Sequence, residues 1–100
     1  MSGLIDERST IMAAPGLITE FIDEDESIIQ HPNDNVYYGL NNVGSRIWSL
    51  IQTPTTVKRV NEILLLEYDV QHDQCLAELL DLLRDLVARG LVDSIDGEVE

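Results

Sequence analysis

The spacing of apolar residues changes once along the chain, from a period of two to a period of 3.6. Between residues 9 and 40, short apolar runs are separated by turn-forming residues, which is the pattern of a β meander. The runs are Leu17 to Ile22, Ser27 to His31 and Val36 to Leu40. We therefore predict an antiparallel sheet in this part of the chain.

The last of these runs has the clearest alternation. Val36, Tyr38 and Leu40 share one face of the predicted strand, and Tyr37 and Gly39 share the other. Because this strand ends the meander, we expect it at an edge of the sheet, where one row of its N–H and C=O groups has no partner. The run contains no proline or lysine that would block pairing with a further strand.

The next segment, residues 41 to 68, predicts two helices. Asn41 suits the N-cap of the first helix, and Thr53-Pro54 ends it. Thr55 or Thr56 caps the second helix. The apolar stripes are Val43, Ile47, Leu50 and Ile51 in the first helix and Val57, Val60 and Leu64 in the second.

A third predicted helix runs from about Gln71 to Ala88 and ends before Gly90, a residue suited to the position after a helix. At 100° per residue its apolar arc is about 160° wide. A helix that lies on one core needs little more than about 100°. The flank at Cys75 and Leu82 should therefore contact something besides the first two helices, which is the sheet, a partner or both.

The length of 100 residues fits one domain. We expect a flexible N-terminus over residues 1–8, the folded domain over residues 9–95 and a polar tail over residues 96–100. The predicted core is Val36, Leu40, Val43, Ile47, Leu50, Leu64, Leu79 and Leu83.

The charge limits the possible partners. Six Lys and Arg residues against 19 Asp and Glu residues give a net charge of −13. The second and third helices and the extended piece after them predict an α+β, winged helix-turn-helix arrangement, in which the latter helix would enter a DNA groove. Here that helix carries Asp73, Glu78, Asp81 and Asp85. Phosphates would be repelled, so we predict no nucleic-acid binding.

No residues cluster in a way that predicts catalysis, a metal site or a cofactor site. His72 and Cys75 are spaced to share a metal, but zinc needs at least three protein ligands and the chain has no second such pair. Cys75 is the single cysteine, so no internal disulfide is expected. The longest apolar run has four residues and no signal peptide is visible, which predicts a cytoplasmic protein without a membrane partner.

One series of spaced residues carries a family resemblance. It consists of Leu40-Asn41-x-Val43-Gly44-x-x-Ile47-Trp48-x-Leu50-Ile51, then Thr56-Val57 and Tyr68-Asp69-Val70, then Glu78-Leu79-x-x-Leu82-Leu83-x-x-Leu86-x-x-x-Gly90-Leu91-Val92. With these residues the chain resembles the PqqD-like peptide chaperones, also called recognition elements of ribosomally synthesised, post-translationally modified peptides (RiPPs). The resemblance implies a winged-helix variant with a three-stranded antiparallel sheet followed by three α-helices.

The resemblance also implies a function without catalysis. The leader segment of a precursor peptide would lie as an added strand beside the third strand, against the third helix, and would be presented to processing enzymes. The implied binding residues are Asn35, Val36, Tyr37, Tyr38, Gly39, Cys75, Glu78, Leu79, Leu82, Asp85 and Leu86. Either Tyr37 or Tyr38 can face the peptide, and Glu78 and Asp85 favour a leader with a basic residue nearby.

Members of the family from lasso-peptide biosynthesis are similar in length and in the Asn-x-Val-Gly-x-x-Ile-Trp stretch. Their partners imply a leader-cleaving cysteine protease and possibly an ATP-dependent cyclase; pyrroloquinoline quinone or another modified peptide stays open as the product. The alternative function is that of an acidic, antitoxin-like winged-helix protein that binds a basic protein.

Overall fold

Two small sheets and three helices make up the structure, a computed structural model that describes residues 5–23, 26–33 and 37–95. The elements are β1 (Thr10–Ala13), β2 (Ile18–Phe21), β3 (Ser27–Gln30), β4 (Tyr37–Leu40), α1 (Asn42–Leu50), β5 (Thr55–Thr56), α2 (Val57–Glu67), α3 (His72–Ala88) and β6 (Val92–Ser94). The predicted fold class is confirmed, because a three-stranded antiparallel sheet precedes three α-helices. Among the described residues no helix combines the length and apolar character needed to cross a membrane.

The predicted meander forms the sheet β2-β3-β4, which is antiparallel throughout. At its centre Ile29 pairs with Thr19 of β2 and with Tyr38 of β4. These three residues mark the inner face of the sheet, where Ile29 is buried. β4 lies at an edge, as the sequence predicts, and in the described part of the chain no strand pairs with its other side.

A second sheet, in the order β5-β1-β6, is not expected from the sequence, which predicts one sheet only. Its central strand β1 places Ile11 opposite Thr55 of β5 and Ser94 of β6. The outer strands have two and three residues, too few for a local pattern to reveal their pairing. Their partner lies far away in sequence, so this sheet depends on the tertiary fold.

The helix boundaries follow the predicted caps. The Asn41 side chain accepts a hydrogen bond from the Gly44 amide at 2.8 Å, and Thr56, not Thr55, caps α2 by accepting from the Arg59 amide at 3.1 Å. After α3, Gly90 has a φ of 76°, and the Leu91 amide donates to the Leu86 carbonyl at 2.9 Å. This geometry ends the helix and turns the chain into β6.

Most of the predicted core is confirmed. The buried residues from that prediction are Leu40, Ile47, Leu64, Leu79 and Leu83, and Leu50 packs against them partly buried. Val43 is a correction, because its side chain is 39% exposed. The buried face of α1 is centred on Ile47 and Trp48, which leaves Val43 at the margin of that face. Val36 lies outside the described residues.

Ile5 is a core residue that the sequence analysis missed by assigning it to the N-terminal polar segment. Its side chain is 2% exposed, and its carbonyl accepts a hydrogen bond from the Arg84 guanidinium at 2.9 Å. The apolar pair Leu4-Ile5 is too short to show a periodicity, so the burial of Ile5 could not be inferred from the pattern.

Two polar contacts attach the sheet β2-β3-β4 to α1. The hydroxyls of Ser27 and Ser45 form a buried hydrogen bond of 2.7 Å between β3 and α1. The Trp48 indole N–H donates to the Thr19 hydroxyl at 2.9 Å, which joins α1 to β2. Buried polar groups paired in this way fix one arrangement of sheet and helix. The edge strand β4 is thereby positioned over the helices.

We predict that Leu83→Ala lowers the free energy of unfolding by about 2–5 kcal/mol, because it leaves a cavity where a fully buried side chain packs. Chemical denaturation followed by circular dichroism measures this change. The matched control is Leu66→Ala on α2, which removes a side chain that is 87% exposed and should change stability by less than about 0.5 kcal/mol. An unchanged unfolding midpoint for Leu83→Ala would contradict the placement of α3.

Candidate functional site

A groove of about 540 Å³ lies between β4 and α3. Residues from α1 and from the end of α2 complete its lining. Its apolar surface comes from Leu40, Val43, Ile47, Leu64, Leu79 and Leu82. A cleft of this size and character has the properties of a ligand site, because apolar walls give binding energy and a few polar groups give orientation.

The edge strand β4 forms one wall of the groove, to which Tyr38, Gly39 and Leu40 all contribute. On its other side β4 pairs with β3, from Ser27 opposite Leu40 to Gln30 opposite Tyr37. In an edge strand every second residue directs its N–H and C=O groups away from the sheet. An extended chain placed in the groove can therefore form main-chain hydrogen bonds with β4.

At the Tyr38 end of the groove, β4 contacts α3 about one turn beyond Leu82. The Tyr38 hydroxyl donates a hydrogen bond of 2.6 Å to the Asp85 carboxylate. The Arg89 Nε donates to the same carboxylate at 3.1 Å, and the guanidinium lies 5.0 Å from the centre of the Tyr38 ring. We call this contact the Tyr38–Asp85–Arg89 cluster.

The cluster shifts the acidity of its members. The hydrogen bond from Tyr38 is the main cause that lowers the pKa of Asp85, and Arg89 lowers it further. The pKa of the Tyr38 hydroxyl is raised, first by burial and then by the hydrogen bond to Asp85. At neutral pH the carboxylate is therefore charged and already paired with Arg89, while the phenol stays protonated.

At the other end of the groove, two contacts join α1 to the end of α2. The Tyr68 hydroxyl donates to the Asn42 side chain at 2.9 Å. The Arg46 guanidinium donates to both carboxylate oxygens of Glu67, at 2.6 and 2.8 Å. This bidentate pairing lowers the pKa of Glu67 and raises that of Arg46. Both ends of the groove are thus held by side-chain hydrogen bonds.

The α3 wall carries one carboxylate with no cation beside it in the described structure, Glu78, which accepts a hydrogen bond from the Gln74 amide at 3.1 Å. Cys75 lies beside it, and burial, with the charge of Glu78, raises the pKa of its thiol. A thiol that stays protonated is a poor nucleophile. Within the described residues no three His, Cys, Asp or Glu side chains lie together as metal ligands.

The structure brings together six of the sequence-predicted site residues as groove lining, namely Tyr38, Gly39, Cys75, Glu78, Leu79 and Leu82. Tyr38 is the tyrosine that faces the groove, whereas Tyr37 is 60% exposed and absent from the lining. Asp85 lies beyond the groove, paired within its cluster. Asn35 and Val36 lie outside the described residues.

Leu86 is a correction, because it is fully buried and does not line the groove. It belongs to the side of α3 that packs into the core, together with Leu79 and Leu83. The sequence analysis also missed groove residues outside β4 and α3, such as Val43, Tyr68 and Val70. Periodicity places Val43 on the apolar stripe of α1 and so predicts a core position, which is why the α1 side of the groove was not visible in the pattern.

The family model of coenzyme PQQ synthesis protein D (PqqD) matches residues 26–92. No curated protein sequence matches the chain significantly.

Two solved structures are similar. TbiB1, solved in complex with the TbiA(beta) leader peptide, is 29% identical with a TM-score of 0.74, over 89% of this chain and 99% of that one. The PqqD truncation of Methylobacterium extorquens PqqCD, described as a functional, stand-alone RiPP recognition element, is 19% identical with a TM-score of 0.75, over 93% of this chain and 99% of that one. At that identity the second structure indicates a shared fold.

We predict that Tyr38→Phe raises the pKa of Asp85 towards its ordinary value, because the variant lacks the hydroxyl that stabilises the carboxylate. A carboxyl group whose pKa is lower in the folded state than in the unfolded state stabilises the fold at pH values above its unfolded-state pKa. This contribution disappears as the pH falls through the folded-state pKa. The variant should therefore lose part of that contribution. An NMR titration of the side-chain carboxyl carbons measures the pKa. Tyr37→Phe, on the opposite face of β4, is the control and should leave the Asp85 titration unchanged.

Proposed function

This chain belongs to the PqqD family, and on that premise we propose that it binds the leader segment of a ribosomally synthesised precursor peptide and presents it to processing enzymes. The family match, residues 26–92, includes β3, β4 and all three helices. It therefore covers both walls of the groove. The single observation that carries the proposal is the edge of β4, which no strand of the described ranges pairs with, along an apolar groove.

The leader would bind by adding a strand to β4. Its main chain would form hydrogen bonds with the outward N–H and C=O groups of β4. Main-chain hydrogen bonds of this kind give little sequence specificity by themselves. Every second leader side chain would point towards α3. The groove offers these side chains Leu79 and Leu82 on α3 and Ile47 on α1 as apolar contacts.

Side-chain anchors are required because strand addition alone does not give a stable complex. Each ordered residue of a flexible leader loses roughly 1–2 kcal/mol of backbone entropy. A main-chain hydrogen bond returns about 1 kcal/mol net. Burial of a large apolar side chain contributes roughly 1.5–3 kcal/mol. The apolar lining is therefore the part of the site that sets the affinity.

Glu78 gives the groove its preference for charge. It lines the groove, whereas the negative charge of Asp85 is already paired with Arg89. A Lys or Arg of the leader would therefore pair with Glu78. An exposed pair of this kind contributes at most about 1 kcal/mol and weakens with salt.

The product class is proposed to be a lasso peptide. The similarity to TbiB1, which was solved with a leader peptide, supports this assignment together with the Asn-x-Val-Gly-x-x-Ile-Trp stretch. The partners would be a leader-cleaving cysteine protease and an ATP-dependent cyclase. The chain would add no chemistry and would raise the local concentration of the core peptide at these enzymes.

The first test is a titration of leader peptides into ¹⁵N-labelled protein, followed by NMR. The probes are synthetic peptides from short reading frames beside the gene, with the TbiA(beta) leader as a reference. We predict the largest amide shifts in β4 and α3. We further predict that Leu82→Asp abolishes binding, because it places a charge without a partner in the apolar groove.

The matched control for this variant is Leu66→Asp, at a side chain that is 87% exposed and does not line the groove. It should fold and bind like the wild type. Shifts that avoid both β4 and α3, or unchanged binding by Leu82→Asp, would refute the proposed site. Circular dichroism of both variants separates a binding defect from unfolding.

We also predict that the chain alone leaves precursor peptides chemically unchanged and needs no metal. The only described cysteine is a buried thiol with a raised pKa, and no cluster of metal ligands occurs in the described ranges. Mass spectrometry of a precursor incubated with the purified chain checks the first point. Peptide binding before and after EDTA treatment checks the second, and a mass change or a loss of binding would argue against this role.

A further inference from the structure

Gly39 lies in the edge strand β4, and no contact within the described structure requires a glycine at this position. Gly16 and Gly90 have positive φ angles, and a Cβ on Gly44 would lie 3.1 Å from the Leu40 side chain. At Gly39 the φ angle is ordinary, and an added Cβ would have no atom within 4 Å. Glycine weakens a strand, so a position that neither strain nor crowding explains points to a close approach by another chain.

The main chain of Gly39 lines the groove, but a side chain at this position would point to the outer face of the sheet, opposite the face that carries Ile29. That position is open space, and we call it the slot. Gly39 lies opposite the half-buried Ile28 of β3, and the next outward residue of β4 is Tyr37, which is 60% exposed. Because Gly39 has no side chain, the edge of Ile28 is open towards the position of a further strand. The slot therefore has Ile28 at its back and Tyr37 at its side.

Strand addition to β4 brings a peptide side chain to this slot. Side chains of paired strands alternate in the same way, so one residue of an added strand must stand beside Gly39 on the outer face. We propose that this leader residue is a large apolar or aromatic side chain that lies across Gly39 and contacts Ile28 and Tyr37. The inference rests on the proposed leader binding and adds a second contact, on the face opposite the groove.

The chemistry of the slot favours this occupant. Ile28 and Tyr37 offer apolar and aromatic surface, and an aromatic residue opposite a glycine on a sheet edge covers the exposed backbone. A second copy of this chain is disfavoured, because each copy carries a net charge of −13. The leader would thus be recognised on both faces, by the groove on one side and by the slot on the other.

The test is Gly39→Val, which fills the slot. The variant should fold at least as stably as the wild type, since the ordinary φ angle and the free space accept a β-branched residue. We expect it to weaken binding of the TbiA(beta) leader, or of the tightest-binding neighbouring leader peptide, by about fivefold, the upper end for a cross-strand pair. Gly39→Ala should have a smaller effect.

A double-mutant cycle assigns this loss to one leader residue. An alanine scan of the same peptide should find one outward position whose replacement weakens binding to the wild type but not to Gly39→Val. If every position behaves alike with both proteins, or Gly39→Val binds as tightly as the wild type, the slot is refuted while leader binding stands. If no peptide binds the wild type, the slot and the proposed function are both refuted.

A second pair of variants tests the back of the slot. Ile28→Thr should weaken binding by about twofold to fivefold. The matched control is Ile18→Thr, the same substitution on the same face of the sheet but on β2, which β3 and β4 both separate from the peptide. This variant should bind like the wild type. Equal affinities for the two variants would overturn the role of Ile28.

Discussion

The hydrogen bond from Tyr38 to Asp85 sets the relation between the edge strand and the third helix. It joins β4, the sheet edge that lines the groove, to α3 on the other side, and Arg89 pairs with the Asp85 carboxylate that accepts this bond. Because α1 is separately attached to β2 and β3 through Thr19 and Ser27, the sheet cannot tilt freely around this contact. The groove thus has walls that are fixed before any ligand arrives, which reduces the entropy lost on binding.

Salt bridges within the chain also determine which carboxylates near the groove can pair with a basic residue of a ligand. The net charge of −13 suggests a surface dominated by repulsion, but the carboxylates near the groove are not equivalent. Glu67 is paired with Arg46 and Asp85 with Arg89, which leaves Glu78 as the carboxylate on the α3 wall. We expect the charge of the whole chain to repel phosphate backbones, whereas the proposed preference for a basic leader residue rests on Glu78 alone.

The elements with a strong local pattern could be predicted from the sequence. Alternation around Tyr38, the caps at Asn41 and Thr56, and the glycine that ends α3 all act within a few residues, and the structure agrees with each. The second sheet, the burial of Ile5 and the exposure of Val43 depend on contacts between distant segments, which periodicity does not contain. The α3 side of the groove could be predicted because the wide apolar arc is a property of one helix. The contributions of α1 and α2 could not, because they depend on how the three helices pack.

The pairing of β1 with β6 affects the order in which the chain can fold. Ile11 and Ser94 lie near opposite ends of the described chain, so this pairing closes a loop of large sequence separation. The hairpins of β2, β3 and β4 and the three helices form from near neighbours, and the loop-closure entropy of the terminal pairing is recovered only when these are in place. We therefore expect the sheet that joins the two ends to complete folding last. It would also be the first structure to open when the native state fluctuates.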